Sequence, residues 1–358
     1  MQHVKLAEAA HVGSSTIYEI NTTSSANTYY VVSSPESIEL LARPEVVGFN
    51  CQRCLLPSTQ AFLDFLRQKE GVQRPHILNI LRGGLNFPLE EACFNIGLNV
   101  CNTDFVTCER VIENGEIKGL DIKYEKIIAE QGATLLIGDI IASGETLCEC
   151  LPLICRRYRD MGGSLRKVVF FTIGGTKAVG IMERMAAKIK ELWPEFEGFC
   201  CIFYEGMFTV YEDHGATGIN TPDIDFYWNG GAVAPELRNY VMDNPVALLE
   251  KCMIYDGGAR RYEMHNHIDE VLEYWTELHE IADKADFKAF VKEKLGYPLE
   301  ASYEEWLEAA RLNASDAHRA LWQKEVVTAH ALLKSTTLQA ICEQRIEAFK
   351  AEMQQYEN

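Results

Sequence analysis

Leu135-Leu136-Ile137-Gly138-Asp139-Ile140-Ile141-Ala142-Ser143-Gly144-Glu145-Thr146 decides the reading of the fold. An apolar run ends in an acid, two apolar residues follow, and a small-Ser-Gly-x-Thr segment opens a helical pattern. A strand that turns into a helix through such a segment points backbone N–H groups, two hydroxyls and a helix N-terminus at one spot. That arrangement is a cradle for a phosphate group. Asp139, at the carboxyl end of the strand, is placed to accept hydrogen bonds from a sugar hydroxyl or to approach a metal. A Walker A loop does not fit, because five residues separate Gly138 from Gly144 and Glu145 stands where the lysine belongs. A dinucleotide fingerprint does not fit either, since no GxGxxG follows a predicted strand.

Around this segment the pattern alternates. Strands are predicted over 76–81, 100–108, 134–139, 167–173 and 199–204, and helices over 87–96, 145–159 and 178–192. Such alternation predicts an α/β fold with a mostly parallel sheet flanked by helices. Residues 1–70 read as a mixed α/β extension, with strands over 15–20 and 28–32, a helix start at Pro35-Glu36-Ser37 and a helix over 58–69. Residues 213–235, rich in Gly, Pro, Asp and Asn, read as irregular. Beyond Asp243 the chain is almost wholly helical, with Trp275, Trp306 and Trp322 on apolar stripes. The predicted organisation is thus an extension over 1–70, a core over 71–235 and a C-terminal helical appendage over 236–358.

A second segment, Ile77-Leu78-Asn79-Ile80-Leu81-Arg82-Gly83-Gly84-Leu85-Asn86-Phe87, ends a strand in a basic residue and two glycines. The N–H groups of a tight glycine turn and a bidentate arginine suit a polyanion. Together the two segments, in this order and 57 residues apart, resemble the type I phosphoribosyltransferase family. The resemblance covers about residues 70–235. It implies a phosphoribosyltransferase-like core, phosphoribosyl pyrophosphate (PRPP) and a small-molecule acceptor as partners, and Mg2+ as cofactor. It assigns the 5-phosphate to Ala142, Ser143, Gly144, Glu145 and Thr146, the pyrophosphate to Arg82, Gly83 and Gly84, and the ribose hydroxyls to Asp139. Asp139 would also approach Mg2+, directly or through water, and Asp139 with Arg82 would be the catalytic pair. Gly138 departs from the family, standing where a first acid is usual. Ala142 departs from the 6-oxopurine transferases, which carry an acid there. The resemblance further implies a lid over 109–132 with Lys123 and Lys126 in it, an acceptor side at Thr172, Gly174, Gly175 and Thr176, and a cis Arg82–Gly83 peptide. It leaves room for a homodimer and for a non-catalytic nucleotide-sensing relative on the same fold.

Composition bounds the rest. The 358 residues carry 34 Lys+Arg against 52 Asp+Glu, a net charge of −18, which argues against nucleic acid as a partner. No secretory signal or membrane-spanning run is read, so the expected location is cytoplasmic and the 12 cysteines are expected as reduced thiols. Cys51-Gln52-Arg53-Cys54 has no second CxxC to complete a metal site, and His265-Asn266-His267 reads as a polar helix start.

Overall fold

The computed structural model describes residues 4–22, 27–113, 116–141, 144–210, 215–219 and 226–356. Strands β1 (Lys5–Val12), β2 (Ser15–Asn21) and β3 (Thr28–Ser33) form an antiparallel meander. Helices α1 (Pro35–Ala42) and α2 (Phe49–Glu70) follow. The central part runs β4 (His76–Leu81), α3 (Leu89–Asn95), β5 (Asn102–Glu113), β6 (Glu116–Lys126), β7 (Ala133–Gly138) and α4 (Glu145–Asp160). It continues with β8 (Leu165–Gly175), α5 (Lys177–Leu192), β9 (Gly198–Val210) and β10 (Phe226–Val233). The remainder is helical: α6 (Pro235–Asp243), α7 (Gly257–Tyr262), α8 (Met264–Ile281), α9 (Phe287–Leu295), α10 (Tyr303–Ala310), α11 (Asp316–Ser335) and α12 (Leu338–Met353).

The strands join one sheet in the order β1-β2-β3-β9-β8-β7-β4-β5-β6, with β10 on the outer part of β9. Six neighbours, β3 to β5 in that order, are parallel. Helices flank this sheet, as the alternation predicts. All six residues of β7 are buried, as expected for a parallel strand covered on both faces.

The structure corrects several sequence-based boundaries. The helix predicted over 87–96 is present as the shorter α3, preceded by a 3-10 turn over Gly83–Asn86. Helix α2 begins nine residues before the predicted start and carries Pro57 inside it. Residues 213–235 are not wholly irregular, because β10 pairs antiparallel with β9. The expected long loop over 109–132 is instead largely a β-hairpin of β5 and β6. Nor are all cysteines free: Cys108 on β5 and Cys150 on α4 are disulfide-bonded. The cause is the reach of β5 past the end of β4, which lays Cys108 beside the second turn of α4. Among the described residues no helix is long and apolar enough to cross a membrane.

Buried polar contacts fix the C-terminal helices to the sheet. Arg260 on α7 is 1% exposed and donates to the carbonyls of Val46 (2.6 Å), Leu40 (2.8 Å) and Arg43. It satisfies carbonyls that the end of α1 leaves without helical partners. Glu205, fully buried in β9 with φ 61°, accepts from Ser33 Oγ, Ser34 N and Ser37 Oγ, which anchors the start of α1. Arg238 on α6 and Glu325 on α11 form a buried bidentate pair (2.9 and 3.0 Å), and Tyr297 and Trp306 also donate to Glu325.

Glu325→Ala would leave the Arg238 guanidinium buried without its counter-charge. The expected loss is about 3–5 kcal/mol, whereas Arg238→Met with Glu325→Leu should recover most of it. Urea denaturation of the three proteins measures both effects.

Candidate functional site

Strands β4 and β7 are hydrogen-bonded parallel neighbours, so the segments that follow them emerge at the same edge of the sheet. After β4 the backbone makes a cis peptide at Leu81–Arg82, one bond earlier than the resemblance implies. The 3-10 turn follows, in which Leu85 N donates to Arg82 O (3.1 Å) and Phe87 N to Gly84 O (3.2 Å). This turn folds directly onto Asp139. A Cβ at position 83 would stand 2.5 Å from Asp139 Oδ1, so glycine is what allows the approach.

Asp139 is held by its backbone. Its N–H donates to Phe171 O (3.1 Å), and Ile141 N donates to Ile173 O (3.2 Å), which extends the β7–β8 ladder past the strand. Its carboxylate accepts from Ile140 N (2.9 Å). Burial pushes the carboxyl up to about 7, against the smaller opposing effect of that hydrogen bond. The residue is nonetheless partly exposed. A partly exposed carboxyl poised near neutrality is a common feature of binding and catalytic acids.

Gly138 is also explained by a neighbour. A Cβ there would run into the Phe87 side chain, with Cδ2 at 2.7 Å. Phe87, at the end of the glycine turn, fills the space that a side chain at position 138 would take.

Of the expected phosphate cradle, Ala142 and Ser143 lie outside the described residues. Gly144, at φ 73°, is the N-cap of α4 and offers no side chain to cap it. Glu145 and Thr146 form its first two residues, so their N–H groups have no partner within the helix. The residues expected on the acceptor side adjoin the same loop. Thr172 is fully buried, Gly174 bridges Ile141, Gly175 N donates to Ile141 O (3.1 Å), and Thr176 N donates to Phe208 O (2.7 Å). The hairpin separates the two expected lid lysines. Lys123 lies next to Tyr124, the residue paired with Thr107, which in turn pairs with Leu81 at the end of β4. It donates to Asp121 (2.8 Å). Lys126 pairs with Phe105, lower along the strands and away from the glycine turn.

One wall of the site was not foreseen. Helix α7, N-capped by Asp256, lies across the glycine turn. A Cβ at Gly257 would stand 2.7 Å from Ile140 Cδ1, and one at Gly258 3.3 Å from an Arg82 guanidinium nitrogen. Arg82 is half exposed, pairs with Glu263 (3.2 Å) and lies over the Tyr262 ring at 5.3 Å. The Asp256-Gly257-Gly258 cap was the available sequence signal. Its position over Arg82 depends on the buried anchor of Arg260, which no local pattern announces.

No family model and no curated protein matches the sequence. Among solved structures the chain is similar to the AQ2163 protein from Aquifex aeolicus, with TM-score 0.33 and 14% identity over 49% of this chain and 84% of that one. It is also similar to a hypoxanthine phosphoribosyltransferase from Staphylococcus aureus (0.26, 14%, covering 39% and 66%). A purine phosphoribosyltransferase from Pyrococcus horikoshii gives 0.25 and 16%, covering 33% and 71%. Overlap this partial bears on neither substrate nor activity.

Gly138→Ala should be destabilising by about 1–3 kcal/mol, the usual cost of overpacking, and Phe87→Leu in the same chain should recover part of it. Thermal melts of the single and double variants measure this. Asp139 gives a second expectation. An unfolded aspartate titrates at about 3.9. Between that pH and about 7 the native state therefore holds the proton that the unfolded state has released. Stability is lost as pH rises through this window. Asp139→Asn should accordingly gain stability relative to wild type from pH 4 to pH 8, as followed by urea midpoints.

Proposed function

We propose that the protein is a PRPP-dependent phosphoribosyltransferase that moves ribose 5-phosphate to a nitrogenous base or a related small acceptor and releases pyrophosphate. The observation that carries this reading is the contact between the Arg82-Gly83-Gly84 turn and the Asp139 carboxylate, beside the N-terminus of α4. A sugar bearing phosphate groups at both ends needs those three features within one ligand length.

In this reading the first N–H groups of α4, with Gly144 before them, bind the 5-phosphate. Asp139 accepts from ribose hydroxyls and thereby orients C1. Arg82 and the N–H groups of Gly83 and Gly84 take the pyrophosphate, whose negative charge grows as the bond to C1 breaks. Arg82 would exchange Glu263 for the incoming polyanion. Helix α7 and Ile140 exclude water on one side, which protects a cationic sugar from hydrolysis. The Asp139 carboxylate, an oxygen donor without a cationic side-chain partner among the described residues, fits Mg2+, which prefers a single carboxylate together with substrate phosphates and water. When bound, Mg2+ would neutralise charge on the leaving group.

A second reading is supported by Phe87 on Gly138 and by the Glu263 pair on Arg82. A ribose grip with one acid and an arginine already paired suit a non-catalytic PRPP or nucleotide sensor on the same fold.

Calorimetric titration of PRPP with Mg2+ tests the shared element. Wild type should bind, Asp139→Ala should lose at least tenfold in affinity, and Arg82→Ala should lose affinity for PRPP but not for ribose 5-phosphate. Pyrophosphate release with a panel of bases then separates enzyme from sensor. Absence of PRPP binding to folded wild type overturns both readings.

A further inference from the structure

At the opposite edge of the sheet, where β4, β5 and β7 begin, His76, Cys101 and Glu130 come together. One ligand atom from each lies within 4.8 Å of the others. His76, the first residue of β4, is 1% exposed, and neither of its ring nitrogens has a hydrogen-bond partner among the described residues. A buried imidazole with both nitrogens unsatisfied is costly, and native interiors rarely tolerate it. Its Nε2 lies 3.4 Å from Glu130 Oε2, and its Nδ1 faces Asp104 Oδ2 at 4.0 Å. That Asp104 oxygen is also buried without a partner.

We propose that His76, Cys101 and Glu130 bind one zinc-class divalent ion, with Asp104 orienting His76 from behind. The donor set is one imidazole nitrogen, one thiolate and one carboxylate. This mixture suits Zn2+ and Co2+, whereas Mg2+ and Ca2+ take oxygen donors. Bond lengths of about 2.0–2.3 Å place tetrahedral donor atoms about 3.3–3.7 Å apart. The His76–Glu130 separation already meets this, so closing the site requires a side-chain rotation of Cys101. Asp104 completes the design. Metal on Nε2 fixes the ring proton on Nδ1, which then has the Asp104 carboxylate to donate to, as ligating histidines regularly do.

The backbone of each donor is already fixed. Cys101 N donates to Pro75 O (2.9 Å), beside His76. Glu130 N donates to Tyr158 Oη (2.9 Å), and Glu130 O accepts from Ser164 N (3.0 Å). Asp104 Oδ1 accepts from Ile128 N (2.9 Å) and from Asn102 Nδ2. Glu130 is half exposed, which gives an ion a path in. Three protein donors leave a fourth position for water. The ion would clamp the starts of three adjacent strands whose far ends, at β4 and β7, carry Arg82 and Asp139. Its role is therefore structural and independent of the sugar-phosphate site.

The test uses the full chain, stripped with a chelator and kept reduced, titrated with Co2+ by absorption. The expected result is one equivalent bound, with the d–d bands of a tetrahedral centre and a thiolate charge-transfer band, both displaced by Zn2+. Cys101→Ser should abolish the charge-transfer band, and His76→Gln should lower Co2+ affinity at least tenfold. If His76→Gln does not fold, Glu130→Gln takes its place with the same expected loss. Zn2+ should raise the melting temperature of wild type but not of Cys101→Ser. A charge-transfer band that persists in Cys101→Ser assigns the metal to other cysteines and overturns the proposal. So does failure of wild type to bind Co2+ at micromolar concentration.

Discussion

The parallel pairing of β4 with β7 is the constraint on which the rest depends. It places the ends of two strands 57 residues apart in sequence side by side, with a glycine turn resting on a carboxylate. Parallel pairing requires a long crossover, and here the connection contains α3 and the β5–β6 hairpin. The far end of the same pairing brings the segments before β4, β5 and β7 together. One register therefore organises chemistry at both edges: a carboxylate, an arginine and a helix terminus at one, a buried histidine with thiol and carboxylate at the other.

The C-terminal third is an integral part of this arrangement. Arg260 plugs the open carbonyls at the end of α1, and this anchor lays α7 across Arg82 and Ile140. The Arg238–Glu325 pair then ties α6, which directly follows the sheet, to α11. The helices that read as an appendage in the sequence supply a wall of the candidate site and a counter-charge to its arginine.

Elements with strong local periodicity were legible in the sequence. Strand β4 was predicted to the residue, and β7, α4 and α5 to within one residue at each end, because each combines an apolar pattern with a clear start or stop. The β5–β6 hairpin was missed, although Asn114-Gly115 between two alternating runs is a hairpin signal. Residues 109–126 read as a loop because their many charges and two glycines outweighed the alternation of Leu120, Ile122 and Tyr124. β10 was missed because its partner, the outer half of β9, is reached only after a register shift. The same limit applies to side-chain constellations. Asp139 and Arg82 stand in contiguous motifs and can be read, whereas His76, Cys101 and Glu130 come from three separate segments and meet only through the sheet order. Phe87 on Gly138 belongs to this class as well.

That aromatic contact also constrains how the chain can change. An acid at position 138 is blocked while Phe87 occupies the space, and removing Phe87 alone opens a void beside Tyr204, its ring neighbour at 6.1 Å. Each single substitution toward a second acid lowers stability before it can add a polar group. Positions 87 and 138 are thus coupled like a ratchet, and substitutions in the surrounding walls meet less resistance than substitutions in the strand itself.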